Sequence, residues 1–303
     1  MSVVVETVMY QGWQSTRLHN GSVELVVPQD IGIRVMRFGF IGQANQFLEV
    51  PEELGARGGD AWRIYGGHRL WHAPETFERT YSRDNFPVEH TQRDDTLIVT
   101  QPVDHAGIQK QIEITLDARA PRATVLHRLT NRGVWPVTLA VWALSVMANG
   151  GVTIVPLPPR GSHETELLPN TRLTLWPYTD MSDPRWTWGR EYVLLRHDAA
   201  APTPQKFGLG NAHGWAAHWN SGTLFACCAA HQTDAEYPDY GCSYEFFTNY
   251  QIMEVETLSP LITLEPGQSA THTETWHLWS DVPRPETDAD VAAHIAPLLA
   301  ALD

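Results

Sequence analysis

An all-β fold, a sandwich or a barrel, is what this 303-residue sequence predicts. Three observations predict it. Apolar residues fall in short runs that alternate with period two. Gly, Pro, Asn and Asp break the runs, and no helical pattern separates one run from the next.

The elements follow in order. Residues 22–27 and 33–40 read as the first two strands, with a turn from Pro28 to Gly32 between them. Runs at 96–101, 109–116, 123–130 and 137–146 continue the pattern. The second of these four alternates cleanly: Ile112, Ile114 and Leu116 face one way, Gln111, Glu113 and Thr115 the other. After a Pro-rich turn at 156–159 come runs at 172–176, 192–196, 214–219, 223–230, 244–247, 251–258 and 272–279. The terminal segment is different. Thr287 and Asp290 are spaced as a capping box, and Val291, Ile295, Leu298, Leu299 and Leu302 then recur at helix spacing. A C-terminal helix covering the β structure is the expectation. Residues 41–90 show little strand character, which reads as a long functional loop. No linker, charge run or repeat divides the chain, so residues 1–303 read as one domain.

Composition narrows the function. A balance of 21 basic against 35 acidic residues gives a formal charge of −14, which argues against nucleic acid or an anionic membrane as partner. Three cysteines, Cys227, Cys228 and Cys242, do not make a disulfide framework and read as buried thiols in a reducing compartment. The first residues lack the pattern of a signal peptide, and no apolar run is long enough for a membrane span, so a cytoplasmic protein is expected. There is no phosphate-binding glycine loop, no dinucleotide glycine fingerprint and no Gly-x-Ser-x-Gly elbow. Twelve tryptophans are unusual. Trp62, Trp71, Trp186, Trp188 and Trp215 sit near Pro, Gly or His, and either pack the core or offer flat faces to a sugar ring.

Chemistry concentrates in Tyr65-Gly66-Gly67-His68-Arg69-Leu70-Trp71-His72-Ala73-Pro74-Glu75. Glycines allow backbone shapes closed to other residues and a close approach to a ligand. Two imidazoles, a guanidinium, an indole and a carboxyl follow them. Further on lie Gln251-Ile252-Met253-Glu254-Val255-Glu256-Thr257 and the turn Leu264-Glu265-Pro266-Gly267-Gln268. In order and spacing these three stretches resemble the galactose mutarotase-like superfamily, which includes the aldose 1-epimerases, in a branch with Gly-Gly-x-Arg-Leu-Trp loops. The resemblance covers most of the chain and implies a large antiparallel β-sandwich with a carbohydrate as small-molecule ligand, no cofactor and no metal, in a monomer or homodimer.

By that resemblance Glu256, in its Val-Glu-Thr context, is the catalytic base. Glu254 shares its strand face and is the alternative. His68 and His72 are the candidate acids, because the position matched to the family's acid histidine holds Ser145, whose hydroxyl cannot donate a proton near neutral pH as imidazole does. Their spacing would suit a metal pair only on a helix, which the neighbouring glycines and Pro74 oppose. Arg69, Trp71, Glu75, Lys206, Asn211, Trp215 and Asn249 are the expected substrate contacts, with Lys206 or Arg69 as the cation beside the paired carboxylates. Three activities fit. One is an aldose epimerase with a Glu base and a His acid. A second is a non-catalytic sugar binder or sensor. The third is a glycoside hydrolase or lyase with paired carboxylates such as Glu75 and Glu256.

Overall fold

Alternation along the strands decides which side chains meet. In the strand Ile108–Leu116 every second residue is buried, beginning at Ile108, and those between are half-exposed. The same rule, repeated over the strands of a computed structural model that describes residues 2–302, builds three antiparallel sheets.

The largest has ten strands, in the order Trp186–Trp188, Tyr192–Arg196, Val152–Pro156, Trp215–Asn220, Thr223–Cys228, Ser269–Trp279, Arg122–Asn131, Ile108–Leu116, Thr96–Thr100 and Glu89–Arg93. A second sheet, central to function, runs Leu173–Leu175, Gln205–Leu209, Tyr244–Thr248, Met253–Leu258, Val137–Met147, Gly67–Ala73 and Arg34–Val35, with Ile262–Leu264 pairing at the start of Val137–Met147. The third sheet has four strands, Val4–Tyr10, Trp13–His19, Val23–Pro28 and Arg37–Phe40. The expected β-sandwich is therefore present. Its core joins Ile112, Ile114, Val125 and Trp276 of the ten-stranded sheet to Leu70, Val141, Phe246 and Val255 of the second. Phe38, from the four-stranded sheet, reaches the same core, 5.6 Å from Trp276 between ring centroids.

Residues 41–90 depart from expectation. They contain Gly67–Ala73, a fully buried strand of the second sheet, paired with Val137–Met147 on one side and Arg34–Val35 on the other. The single C-terminal helix also divides, into Asp288–His294 and Ala296–Ala300. Pro297 lies in the first turn of the second piece and brings no N–H to continue the first. The capping box at Thr287 and Asp290 is formed. Val291, Ile295 and Leu299 pack on Val152, Ile154 and Leu194 on the outer face of the ten-stranded sheet, whereas Leu302 is exposed. Among the described residues no helix is long and apolar enough to cross a membrane.

Between the two large sheets runs a string of buried polar groups. His127 Nδ1 donates to the His272 carbonyl at 3.1 Å, so its Nε2 accepts from His68 Nε2 at 2.7 Å. The Ser145 hydroxyl completes the string at His68 Nδ1, 2.9 Å away. His272 Nε2 meets Thr257 Oγ1 at 2.7 Å, and Trp276 Nε1 donates to Glu274 at 2.7 Å. Neutral imidazoles satisfy this network. Burial, the leading cause in each case, pulls His72, His127 and His218 down to about 3 and His272 to about 4.

That arrangement predicts acid sensitivity. The unfolded chain takes up protons on these histidines as pH falls below about 6.5, and the folded chain does not. Stability is therefore complete above that pH and declines as pH drops towards 4 and below. Glu245, Glu256 and Glu274, all raised by burial, act in the opposite sense, but they are fewer than the histidines held low, which also include His68, His90 and His277. The urea midpoint should fall steadily between pH 6.5 and pH 4; a flat profile would contradict the neutral-histidine core.

Candidate functional site

Three cross-strand rows bring the site together on the face of the second sheet turned away from the core. Arg69 lies opposite Leu144, Leu144 opposite Glu256, and Glu256 opposite Glu245. One step along, Val146, Glu254, Phe247 and Lys206 form a parallel row. Trp71 and Trp142 begin the third. Directly opposed residues of antiparallel strands share a face, so these side chains are neighbours, and Arg69 reaches Glu254 although 185 positions separate the two in sequence. The glycine pair works differently from the expectation. Gly66 and Gly67 have φ of +97° and +72°, and a Cβ on either would collide with the Leu48 or Val35 carbonyl oxygen. The close approach they permit is to the chain's own backbone.

Together with loop residues these rows enclose a cleft of about 340 Å³. Its lining includes Arg69, Trp71, Glu75, Lys206, Asn249, Glu254 and Glu256 from the expected set. Trp62, Tyr81, Trp142, Tyr178, Phe247 and Gln251 join them. The volume suits a ligand of monosaccharide size.

The charges pair closely. Arg69 Nη2 donates to Glu254 Oε1 at 2.9 Å, with the guanidinium carbon 4.1 Å from the Trp71 ring centre and 5.2 Å from that of Trp62. Trp142 Nε1 donates to Glu256 Oε2 at 2.9 Å, and Lys206 Nζ donates to the same oxygen at 3.3 Å. Lys206 also stands 2.8 Å from Glu245 Oε2. Burial raises the Glu256 carboxyl, and despite the Lys206 cation it settles at about 7. Glu245, more deeply enclosed, is pushed well above the usual carboxylate range, also by burial. Lys206 is held well above the ordinary ammonium value because its two carboxylate partners overcome its own desolvation. Glu256 Oε1 has no hydrogen-bond partner. At the rim Tyr81 donates to Glu75 Oε1 at 2.5 Å. Asn249 Oδ1 accepts from the Gln251 and Ile252 amides at 2.7 and 2.9 Å and so shapes the turn leading to the Glu254 strand.

Four expected residues lie elsewhere. His68 and His72 alternate with Arg69 and Trp71, so they point into the core between the sheets, where both are fully buried. No histidine is among the described residues lining the cleft. The expectation of a loop histidine acting there as acid is corrected. Ser145 points the same way as His68, and the cleft-facing neighbours on its strand are Trp142 and Leu144. Asn211 and Trp215 are also outside. After Gln205–Leu209 the chain leaves the second sheet for the ten-stranded one. There Asn211 Nδ2 donates to the Trp215 carbonyl at 2.7 Å, and Trp215 lines a separate hollow of about 820 Å³ near the C-terminal helices.

Sequence reasoning missed Trp142 and Glu245. Each sits in a run that was recognised as a strand, but nothing local indicates which face turns to a cleft. For metal binding, the ligand atoms of His68, His127 and Glu274 lie within 4.8 Å of one another. The two imidazole nitrogens are already joined by their 2.7 Å hydrogen bond, and the Glu274 oxygens accept from Thr257 and Trp276. The trio serves the core as a satisfied polar link.

No protein-family model and no curated protein sequence matches the chain. Solved structures do. A Klebsiella pneumoniae protein proposed to be an aldose 1-epimerase shares 13% identity over 98% of this chain and 87% of its own, with a TM-score of 0.59. A galactose mutarotase-related enzyme from Lactobacillus acidophilus shares 8% identity over 93% of this chain and 100% of its own, with a TM-score of 0.53. A galactose mutarotase-like protein from Clostridium acetobutylicum shares 10% over 92% of this chain and 99% of its own, also at 0.53. At such identities the likeness is one of architecture, and the architecture is clear: this chain has the galactose mutarotase-like fold.

Proposed function

We propose that the chain binds a carbohydrate in this cleft and interconverts its anomers, with Glu256 exchanging the proton of the anomeric hydroxyl. The observation that carries the reading is Glu256 itself: it sits among indoles, keeps one oxygen unpartnered and titrates at about 7. A carboxyl with that pKa is present in both protonation states near neutral pH, which suits it to take and return a proton. The similar proteins described as an epimerase and a mutarotase-related enzyme support the class of reaction. Ring opening also needs a proton on the ring oxygen. Glu75, the carboxyl that Tyr81 holds in the same cleft, is the candidate donor in place of an imidazole. Anomer exchange of hexoses and pentoses, followed by NMR with wild type and Glu256→Gln, tests the proposal.

One observation favours a second reading, a non-catalytic sugar binder: no imidazole faces the cleft among the described residues. Binding seen by saturation-transfer NMR without acceleration of anomer exchange would select it. Either reading requires Trp71, which both lines the cleft and carries the Arg69 guanidinium on its face. Trp71→Ala should weaken sugar binding about tenfold, a loss of roughly 1.4 kcal/mol, as read by calorimetry. Unchanged affinity would move the ligand out of this cleft.

A further inference from the structure

The hollow beside the C-terminal helices, about 820 Å³, is more than twice the size of the cleft and shares no residue with it. Its floor follows from strand register in the ten-stranded sheet. Trp215 lies opposite Cys228, and Cys228 opposite Thr275. Two positions along, Ala217, Ala226, His277 and Arg122 form a second row. Residues two apart on a strand share a face, so both rows look outward. Ala217 and Ala226 pack with Val291, Ile295 and Leu299 of the helices, whereas Trp215, Cys228, Thr275, His277 and Arg122 line the hollow. The Pro-rich turn at 156–160 and Ala296, Leu299 and Ala300 of the last helix complete its wall.

His277 carries the argument. It is only 9% exposed, it lines the hollow, and neither ring nitrogen has a hydrogen-bond partner among the described residues. Burial, aided by the Arg122 charge, pulls it down to about 4, so at neutral pH it presents one N–H donor and one bare acceptor. The Trp215 indole N–H and the Tyr192 and Thr275 hydroxyls are likewise without partners among the described residues. Buried polar groups left open in this way point to an occupant that supplies the missing bonds. The Tyr192 ring stands 6.2 Å from that of Trp215 between centroids. Aromatic rings with unsatisfied donors and acceptors at their edge match a sugar, whose C–H face packs on the ring while its hydroxyls bond the polar groups. Charge narrows the choice. Arg160 and Glu191 line the same hollow, neither in an ion pair among the described residues, and Arg122 already pairs with Asp117. Such a balance favours a neutral ligand over an anion.

We propose that this hollow is a second carbohydrate site, which holds a neutral oligosaccharide segment against Trp215 and Tyr192 with its hydroxyls bonded to His277 and Thr275. By the measure that gives the cleft one sugar ring, the hollow has room for about two. The site asks nothing of Glu256, so it stands apart from the anomer-exchange reading.

The probes are the methyl glycosides of maltose and cellobiose, which have no free anomeric hydroxyl for the cleft to act on. Saturation-transfer NMR detects binding to the whole chain, and calorimetry gives the affinity. At least one of the two is expected to bind the wild type at a probe concentration of about 10 mM. Trp215→Ala should weaken that binding about tenfold, because it removes the aromatic floor. Ala300→Trp, at an exposed position on the wall, should block it without disturbing the core, and decides the matter if Trp215→Ala does not fold. Trp71→Ala and Glu256→Gln, both in the cleft, should bind as the wild type does. Failure of both glycosides to bind the wild type would overturn the proposal. So would binding that survives Ala300→Trp, or that Trp71→Ala abolishes.

Discussion

Glu256→Gln should lower the rate of anomer exchange by about 10²- to 10⁴-fold, the usual contribution of one proton-transferring group. The substitution is nearly isosteric. A glutamine carbonyl can still accept from Trp142 Nε1, which now bonds Glu256 Oε2 at 2.9 Å, so the cleft keeps its shape. What disappears is a carboxyl that changes protonation at about 7. The wild-type rate should rise with pH through that value as the anion forms, and the variant should lose the inflection. Equal rates for the two proteins on a sugar that the wild type accelerates would remove Glu256 from the chemistry.

Lys206→Met should cost about 3–5 kcal/mol of folding stability, the range for removing one partner of a buried ion pair. Lys206 lies 2.8 Å from Glu245 Oε2 and 3.3 Å from Glu256 Oε2, and neither carboxyl is more than 1% exposed. Both carboxyls are already raised by burial with the cation present. Without it they must stay protonated to remain inside. In the unfolded chain they ionise above about 4.3. A group whose folded pKa is raised stabilises fully below the unfolded value and loses that contribution as pH rises through the folded one. The deficit of the variant should therefore be small at pH 5 and large at pH 8, measured by urea unfolding at both. A pH-independent difference would mean that the lysine acts through its packing on Trp142 and Trp176.

The cleft was partly legible beforehand, for reasons that particular residues make plain. Glu254 and Glu256 sit two apart in a recognisable strand, so their common face follows from alternation alone. Arg69, Trp71 and Glu75 were recognised as a group rich in chemistry, and they do line the cleft. His68 and His72 were assigned with them because the stretch read as a loop, where neighbours can converge. In the strand Gly67–Ala73 neighbours diverge, and the same alternation sends both imidazoles to the core. Val4–Tyr10 was overlooked because none of its residues is fully buried and its pattern is correspondingly weak. Asn211 and Trp215 were grouped with Lys206 by closeness in sequence, which counts for little when the chain changes sheets between them.

By itself the amino-acid order determined the β class, the capped terminal segment and the paired carboxylates, because each depends on spacings of a few residues. Only the tertiary structure decided which faces enclose the cleft, that Lys206 stands between Glu245 and Glu256, and that His72 is buried with neither ring nitrogen bonded. Those outcomes rest on register between strands distant in the chain. Register is selected by the packing of whole sheets, and no local spacing records it.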